Sequence, residues 1–352
     1  MTKAPESLPD IATDTSPDEV VPDETVIEAP PGLAKRVFQP QTLLGFLLAG
    51  VALFFVYRNG LKLDFREVWS EMRNANGWLL VLAFVIYYSS FIVRTKRWEV
   101  LLGNVGYSRE QGANMPSLLG LGEILYLSWF ANCVTVARLG DAYRGYMLKR
   151  AAGVSFAVTM GTILAERLVD VGVLAGMMAL SALIAFRGAL PQAAEYALIG
   201  GIVVSIVGFV GLASLKRLRP FVQRFLPERI FGFYSNIETG VTGSFRRVPY
   251  LIVLSVIGWV IEGSTLYLTA AAVNVPLSVA GAIMAALASS LLSTIPFSPA
   301  GLGFTESGTV LLLTSYGMET TPAAAVVLLS RVINYWSIIG LGAIIYVFSR
   351  KK

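Results

Sequence analysis

The 352-residue chain contains no histidine and a single cysteine. Without histidine it lacks the commonest zinc ligand and the side chain best suited to proton exchange near neutral pH. One cysteine, Cys133, cannot form an intrachain disulfide or a cysteine-bound metal cluster. Most enzyme chemistry therefore has little support. We predict a protein that is not an enzyme, with no cofactor, no metal site and no nucleic-acid partner.

Charged residues are also scarce. They make up 14% of the chain, and hydrophobic residues make up 55%, whereas a soluble domain carries about 25% charged residues. Apolar windows of about 18 residues, the length of a membrane-spanning helix, recur along the chain. We therefore predict an all-α, polytopic membrane helical bundle. Its apolar segments lie at 41–57, 78–93, 118–137, 154–186, 197–214, 250–273, 278–296, 307–317 and 323–348.

The N-terminal end differs from the rest. Residues 1–34 hold eight acidic residues, one lysine and six prolines, so their net charge is −7 and the remaining residues carry +12. We predict a disordered, acidic tail over residues 1–39 and a membrane domain over residues 40–352. The tail lacks the basic start and apolar stretch of a signal peptide. The positive charge of the membrane domain suits contact with anionic lipid head groups.

Lysine and arginine are unevenly distributed among the polar joins. Residues 94–117 and 215–249 are basic, as is the C-terminal end, whereas 274–277 and 318–322 have no lysine or arginine. Because basic residues mark cytoplasmic loops, we predict cytoplasmic termini in a cell inner (plasma) membrane. This orientation requires that 118–150 enters and leaves on the cytoplasmic side. It gives about six full spans and two re-entrant helical hairpins.

Two segments have lengths that a simple span does not explain. Segment 154–186 would form about 50 Å of helix, which exceeds the roughly 30 Å hydrocarbon core. Segment 307–317 would form only about 16 Å. The stretch "STIPFSPAGLGFTESG" (293–308) carries two prolines and three glycines and cannot be a continuous helix. Broken helices at membrane depth are typical of segments that line a cavity.

Two polar stretches echo each other. "ARLGDAYRG" (137–145) and "AGLGFTESG" (300–308) share four of nine residues, and Arg167 of "ERLVD" stands against Arg331 of "SRVIN". We hypothesise an inverted repeat whose hairpins enter from opposite faces, with a site near the midplane; the alternative is chance similarity. The first unit would comprise 78–93, 118–150 and 154–186, and the second would comprise 250–273, 278–317 and 323–348.

Charged side chains within apolar segments need a partner or a role, because charge is costly in hydrocarbon. In "ERLVD", Glu166 and Asp170 share a helix face, and Arg167 is placed to pair with Asp170. These residues either form a helix-to-helix ion pair or line a water-filled cavity. In the cavity, Arg167 would face an anion and the carboxylates a cation or a proton. Glu262 is a further partner for one of the arginines.

The first hairpin carries Arg138, Asp141 and Arg144 around Gly140. Arginine binds phosphate through a planar, two-pronged fork, and a helix N-terminus beside the glycine would add backbone donors. The alternative is a cytoplasmic loop that is basic only because of its topology.

The second unit offers Glu306, Arg331 and Asn334 as candidates, the last two within "RVINYW". In "RTKRW", by contrast, we interpret Arg94 and Arg97 as anchors at the membrane interface.

Five of these stretches, in this order, resemble the transmembrane region of lysylphosphatidylglycerol synthases and the wider flippase-like family: "RTKRW", "NCVTVARLGDAYRGYMLKR", "ERLVD", "SPAGLGFTESG" and "RVINYW". The resemblance covers about residues 40–350 and departs at Ala137, where the family often has proline. It implies a membrane domain that moves or holds a lipid, in some members an aminoacylated phosphatidylglycerol. In full-length synthases a domain that transfers lysine from its tRNA follows. This chain stops at Lys352, so we do not assign aminoacylation.

Three functions fit these observations. The first is a flippase or transporter whose partner is a membrane phospholipid, anionic or aminoacylated, or a related polar lipid. In it, the arginines meet a phosphate and the carboxylates meet a cationic head group or a coupling proton. The second is a secondary transporter of a small polar solute. The third is a non-transporting membrane partner of an envelope-lipid enzyme. The predicted substrate-binding residues are Arg138, Asp141, Arg144, Glu166, Arg167, Asp170, Glu306, Arg331 and Asn334.

Overall fold

A computed structural model describes residues 63–135, 138–186, 192–225, 227–294 and 298–349, together with five isolated helical positions between residues 44 and 54. Over these ranges the regular structure is helical and contains no strand. The membrane helical bundle predicted from the sequence is thereby confirmed. The predicted tail, residues 1–39, lies outside the described residues and stays a prediction.

The helices, numbered from residue 65 onward, follow one another through short joins. A π-helical segment, Val332–Trp336, joins the last two, and short 3₁₀ turns occupy Arg109–Gln111, Phe245–Arg247 and Pro299–Gly301. The α-helices are α1 (Phe65–Asn74), α2 (Gly77–Asn104), α3 (Leu118–Val134), α4 (Leu139–Ala152), α5 (Phe156–Phe186), α6 (Gln192–Phe225), α7 (Glu228–Ser244), α8 (Val248–Ala272), α9 (Val279–Leu292), α10 (Phe304–Ser315), α11 (Thr320–Arg331) and α12 (Ser337–Phe348).

Three helical stretches of the described chain are long and apolar enough to cross a membrane: Gly77–Gln111, Glu228–Ala272 and Thr320–Phe348. A fourth is added if Leu198–Leu212 and Ser214–Phe225, which meet at 48°, form one bent span. The predicted number of six full spans stays a prediction. The long segment at 154–186 forms one helix of 31 residues, α5.

Two apolar helices are shorter than the three long stretches. Helix α3 has 17 residues and α9 has 14, or about 26 Å and 21 Å of helix, against a hydrocarbon core of about 30 Å. Both begin at a serine cap: the Ser117 side chain accepts the Gly120 N–H, and the Ser278 side chain accepts the Gly281 N–H. Each ends at a break before a second short helix, α4 or α10. They correspond to the two predicted hairpins; that each is re-entrant, and the membrane face from which it enters, stay predictions.

The described helices form two similar units. In the first, α2 precedes the α3–α4 hairpin and α5 follows it; in the second, α8 precedes the α9–α10 hairpin and α11 follows it. The units meet where α2 packs against α8.

Glycines permit two of the closest approaches in the bundle. A Cβ at Gly140 would fall on the Ser128 carbonyl oxygen and 2.7 Å from Asn132 Oδ1, so the arms of the first hairpin touch there. A Cβ at Gly161 on α5 would lie 2.8 Å from the Gly240 Cα on α7. Close backbone contact of this kind stabilises helix pairs that lack a hydrophobic driving force in lipid.

Candidate functional site

A cavity of about 350 Å³ lies between the two units. Its walls come from α2, α3, α4 and α5 on one side and from α8, α9, α11 and the π-helical segment on the other. Four arginines and three carboxylates line it, so its described wall carries a small excess of positive charge. The polar and charged lining residues are Arg94, Asn132, Arg138, Asp141, Arg167, Asp170, Glu262, Ser289, Ser290, Ser293, Thr294, Arg331 and Asn334.

The first hairpin turns sharply at its tip. Arg138, the residue before α4, adopts a left-handed conformation with φ of 53°, which is uncommon for a side chain larger than glycine. Asn132 holds the turn from the opposite arm. Its Oδ1 accepts the Gly140 N–H at 2.8 Å, and its Nδ2 donates to Asp141 Oδ1 at 3.1 Å. Asn132 on α3 thus links the two arms of the hairpin through hydrogen bonds to Gly140 and Asp141 on α4.

Two guanidinium groups face the single carboxylate of Asp141. Arg167 Nη2 donates to both oxygens at 3.0 and 3.2 Å, and Arg138 Nε lies 3.6 Å from Oδ2. The two arginine side chains retain 32% and 29% exposure, and both line the cavity. One carboxylate cannot neutralise two guanidiniums, so this wall has an unmatched positive charge at the start of α4. The unmatched positive charge and the N-terminus of α4 both favour binding of an anion, phosphate above all.

The second unit contains a similar pair in a tighter setting. Glu306 Oε1 accepts from Arg331 Nε at 2.6 Å, and Glu306 Oε2 accepts the Gly303 N–H at 2.6 Å. Arg331 Nη2 also donates to the Ala300 carbonyl at 3.2 Å, and its guanidinium lies 5.2 Å from the Tyr335 ring. Each charged side chain of this pair is only 9% exposed.

A buried ion-pair network lies behind the first hairpin. Arg97 bonds both oxygens of Asp170, with one distance of 2.9 Å, and also donates to Glu166 at 2.6 Å and to the Ser255 hydroxyl at 2.8 Å. Arg144 donates to the other Glu166 oxygen at 2.9 Å. Two buried carboxylates and two buried arginines thus neutralise one another.

This network corrects two sequence interpretations. Arg97 is not an interface anchor, because its side chain is 4% exposed and holds both carboxylates of "ERLVD". The expected pairing of Arg167 with Asp170 is also wrong, since Arg167 turns to Asp141. For Glu166, the helix-to-helix ion pair, one of the two alternatives, is the arrangement found.

Arg94, on α2, contacts side chains of both α3 and α8. Arg94 Nη2 donates to Glu262 Oε2 at 2.8 Å, which gives Glu262 the arginine partner expected from the sequence. The same guanidinium lies 4.6 Å from the Trp129 ring and 5.7 Å from the Trp259 ring, within the range of cation–π attraction.

Comparison with known proteins places this architecture in a family. The family described as "Lysylphosphatidylglycerol synthase TM region" matches residues 42–342. The chain belongs to the lysylphosphatidylglycerol synthase transmembrane-region family. A UPF0104 membrane protein of Methanocaldococcus jannaschii is 32% identical over 224 residues, which cover 62% of this chain and 93% of that protein.

Two further relatives of this family member are more distant. A UPF0104 membrane protein of Methanothermobacter thermautotrophicus is 23% identical over 290 residues, covering 76% of this chain and 82% of the relative. Glycosyltransferase AglD of Haloferax volcanii is 26% identical over 337 residues, covering 84% of this chain but 51% of the relative. This chain therefore corresponds to about half of that glycosyltransferase.

In this lysylphosphatidylglycerol synthase transmembrane-region protein, six of the nine predicted site residues line the cavity. Three do not: Arg144, Glu166 and Glu306 lie behind the wall and pair with charged groups that support it. The residues that line the cavity are Arg138, Asp141, Arg167, Asp170, Arg331 and Asn334.

Sequence reasoning missed two parts of the wall of this family member. Ser289 and Ser290 line the cavity, although they were not among the predicted site residues. Ser293 and Thr294 also line it, within the stretch 293–308 that we expected to line a cavity. Their clustering at the end of an apolar segment was the available signal. Arg94 was read as an interface anchor and is a further correction, because it is buried against Glu262.

One flank of the cavity is apolar. Val171, Leu174, Val204 and Leu291 line it. Val204, on α6, is 45% exposed, and α6 presents further exposed aliphatic and aromatic side chains, among them Ile199, Val203, Ile206 and Val207. The cavity therefore combines a charged interior with an apolar edge on the outer face of the bundle.

Proposed function

We propose that this protein is a lipid flippase or lipid transporter of the cell inner (plasma) membrane. Its substrate would be an anionic or aminoacylated phospholipid or a related polar lipid. The observation that carries the proposal is the Arg138–Asp141–Arg167 cluster, a cavity-lining site with one more positive than negative charge. It lies in a cavity whose edge is apolar at Val204. A head-group phosphate needs the first feature, and acyl chains need the second.

The phosphate would share the two guanidiniums with Asp141. Both arginine side chains are partly exposed, at 32% and 29%, and both line the cavity. Charge-assisted hydrogen bonds from arginine to phosphate are strong and geometrically specific. The serines and threonine at the end of α9 form the facing wall and would hydrogen-bond the polar parts of the head group.

The buried pairs would hold the wall rather than touch the lipid. Arg144 and Glu166 fix α4 against α5, and Glu306 fixes Arg331 against the second hairpin. In this arrangement the two hairpins would open alternately to each side of the membrane. Both termini would be cytoplasmic, as the distribution of basic residues predicts.

The family description supports a lipid substrate, because it names the membrane region of a lysylphosphatidylglycerol synthase. We propose that this membrane region handles a lipid. On this proposal the present chain is not itself an enzyme, and a separate envelope-lipid enzyme would be its partner.

The test is lipid movement in proteoliposomes. Purified protein is reconstituted with head-group-labelled phosphatidylglycerol, with lysylphosphatidylglycerol, or with a zwitterionic control lipid. A membrane-impermeant quencher then reports the fraction of label outside. We expect protein-dependent movement in wild type and its loss in Arg138→Ala and Arg167→Ala. Arg246→Ala is the matched control, because Arg246 is an exposed arginine outside the cavity lining.

The alternatives predict other results. If folded wild type moves none of the lipids, with or without an ion gradient, the proposal is overturned. Uptake of a polar solute would then identify the second function. If neither lipid nor solute moves, the third function, a non-transporting partner, is the one that stands. It predicts that the arginine variants behave like wild type.

A further inference from the structure

A second cavity of about 20 Å³ adjoins the large one. Tyr87, Glu262, Ser289, Arg331 and Asn334 line both cavities, so the two are contiguous. A cavity of this size accommodates about one water molecule or one ion of similar size.

Two hydroxyls of this small cavity are oriented as acceptors. The Thr265 hydroxyl donates to the Ile261 carbonyl at 3.0 Å, and the Thr309 hydroxyl donates to the Thr305 carbonyl at 2.7 Å. A hydroxyl has one hydrogen and two acceptor lone pairs. Because each hydrogen is already bound within its own helix, only the oxygen lone pairs remain for a ligand.

Two further oxygens are candidate ligands. Arg94 bonds Glu262 through Oε2, so the second carboxylate oxygen, Oε1, is not the one that accepts this bond. Asn334 Oδ1 is a buried atom without a hydrogen bond in the described structure. A buried acceptor without a donor is costly unless a ligand satisfies it.

The backbone is also irregular at this point. Asn334 is the middle residue of the π-helical segment Val332–Trp336. Single π-helical turns inside α-helices occur frequently at functional sites. In transporters, ions that drive transport bind where broken helices meet near the midplane.

The charges around the small cavity are balanced in pairs. Glu262 lines it and pairs with Arg94 at 2.8 Å, and Arg331 borders it and pairs with Glu306 at 2.6 Å. A singly charged cation therefore adds less uncompensated charge than a divalent one. Divalent cations prefer several carboxylates, and no group of three or more potential metal-binding side chains occurs among the described residues.

We propose that this small cavity binds a monovalent cation, Na⁺ by size, through oxygen atoms. The ligands would be Glu262 Oε1, Asn334 Oδ1 and the hydroxyls of Thr265, Thr309 and Ser289. The cation would lie against the wall of the lipid cavity and would couple its own gradient to movement of the lipid. That coupling rests on the proposed lipid transport, whereas binding of the cation does not.

The first experiment measures binding alone. Purified full-length protein in detergent is titrated with ²²Na⁺ in choline chloride, and unlabelled Na⁺, K⁺ and choline are the competitors. We expect saturable binding that Na⁺ displaces and choline does not. Thr265→Val should weaken binding roughly tenfold or more, the scale of losses at metal sites, and Asn334→Ala should do the same.

Thr269→Val is the matched control. Its hydroxyl is fully buried one turn along α8, donates to the Thr265 carbonyl at 2.8 Å, and lines neither cavity. It should bind ²²Na⁺ like wild type. If wild type shows no saturable binding, or if Thr265→Val and Thr269→Val bind equally, the site is overturned and the cavity holds water only.

The second experiment measures coupling in proteoliposomes. Lipid movement is compared under an inward Na⁺ gradient and under an equal K⁺ gradient. Movement driven by Na⁺ and lost in Thr265→Val supports coupling, and equal movement in both salts overturns it. If the protein binds ²²Na⁺ but moves no lipid, the cation site stands and the proposed lipid transport fails.

Discussion

The two hairpin units place the same pair of charges in different surroundings. Asp141 is the third residue of α4, and Glu306 is the third residue of α10. Each pairs with an arginine on the helix that follows the hairpin: Asp141 with Arg167, 26 residues later, and Glu306 with Arg331, 25 residues later. A carboxylate in the first turn of a helix is stabilised by the positive end of the helix dipole, and both units use this position.

The surroundings of the two pairs are not equivalent. In the first unit a second arginine, Arg138, approaches the carboxylate, and the arginine partner is 29% exposed. In the second unit the carboxylate also accepts the Gly303 N–H, and both partners are 9% exposed. The difference teaches that the same carboxylate–arginine pair can be partly exposed in one unit and closed in the other. On the proposed function, the exposed pair would be the anion site and the two units would exchange these states during transport.

The largest effect is expected from a substitution in the buried ion-pair network of the first unit. Arg97→Ala leaves Glu166 and Asp170 with less compensation in a buried site, and loss of one partner of a buried ion pair costs about 3–5 kcal/mol. We expect a large fall in thermal stability in detergent, and intrinsic tryptophan fluorescence measures the unfolding. Lys96→Ala is the control, because Lys96 pairs with Glu99 at an exposed position. Equal stability of the two variants would contradict the assignment.

The next effect separates the two carboxylates. Glu306→Gln leaves Arg331 uncompensated in a closed site and should cost about 3 kcal/mol. Asp141→Asn affects a partly exposed pair and should cost about 1 kcal/mol or less. The proteoliposome assay should show a different contrast. Asp141→Asn should change lipid movement although the protein remains well folded. A greater loss of stability in Asp141→Asn than in Glu306→Gln would show that the two units have been assigned the wrong way round.

A smaller effect tests the contact between hairpin arms. Gly140→Ala places a methyl group on the Ser128 carbonyl and should cost about 1–3 kcal/mol by overpacking. It should also loosen the turn that holds Asp141. Gly176→Ala is the control, since nothing lies within 4 Å of a Cβ there, and alanine favours helix over glycine by about 1 kcal/mol. Thermal unfolding measures the stability of both variants. If Gly140→Ala is as stable as Gly176→Ala, the arms are not in close contact.

The smallest effect sharpens the comparison quantitatively. Double-mutant cycles on Asp141/Arg167 and on Glu306/Arg331 isolate the pairwise coupling energy in each unit. We expect the coupling energy of the second pair to exceed that of the first by about 1 kcal/mol, because exposed ion pairs are screened by water. Urea-dependent unfolding in mixed micelles gives the energies. Equal coupling would mean that the difference in exposure has no energetic consequence.

Much of the fold was predictable, because apolar segments and their breaks follow from physical length. The interruption near residue 300 corresponds to the prolines and glycines of 293–308. The apolar segments 118–137 and 278–296 are long enough to span, and the hairpin at 118–150 was inferred from the distribution of basic residues. The echo between units was detected at an offset of 163 residues, yet the paired carboxylates differ by 165. The 3₁₀ turn Pro299–Gly301 lies before α10, and the first unit has no described counterpart to it.

The site was predictable only in part, for a reason visible at Arg97. An arginine at the end of an apolar segment can anchor a helix at the interface or pair inside the bundle. The apolar segment was placed at 78–93, but α2 continues to Asn104, so its polar turns remain in the helix and face inward. Glu166 and Asp170 together required more positive charge than Arg167 could supply, and that imbalance was the signal for Arg97.

The glycine contact between α5 and α7 has a mechanical consequence. A side chain larger than hydrogen at Gly161 would fall on the backbone of α7, so the two glycines set how closely α5 and α7 approach. Arg167 lies six residues further along α5, about 9 Å from that point. A larger residue at Gly161 would therefore displace α5 near the arginine that pairs with Asp141, although it touches neither side chain.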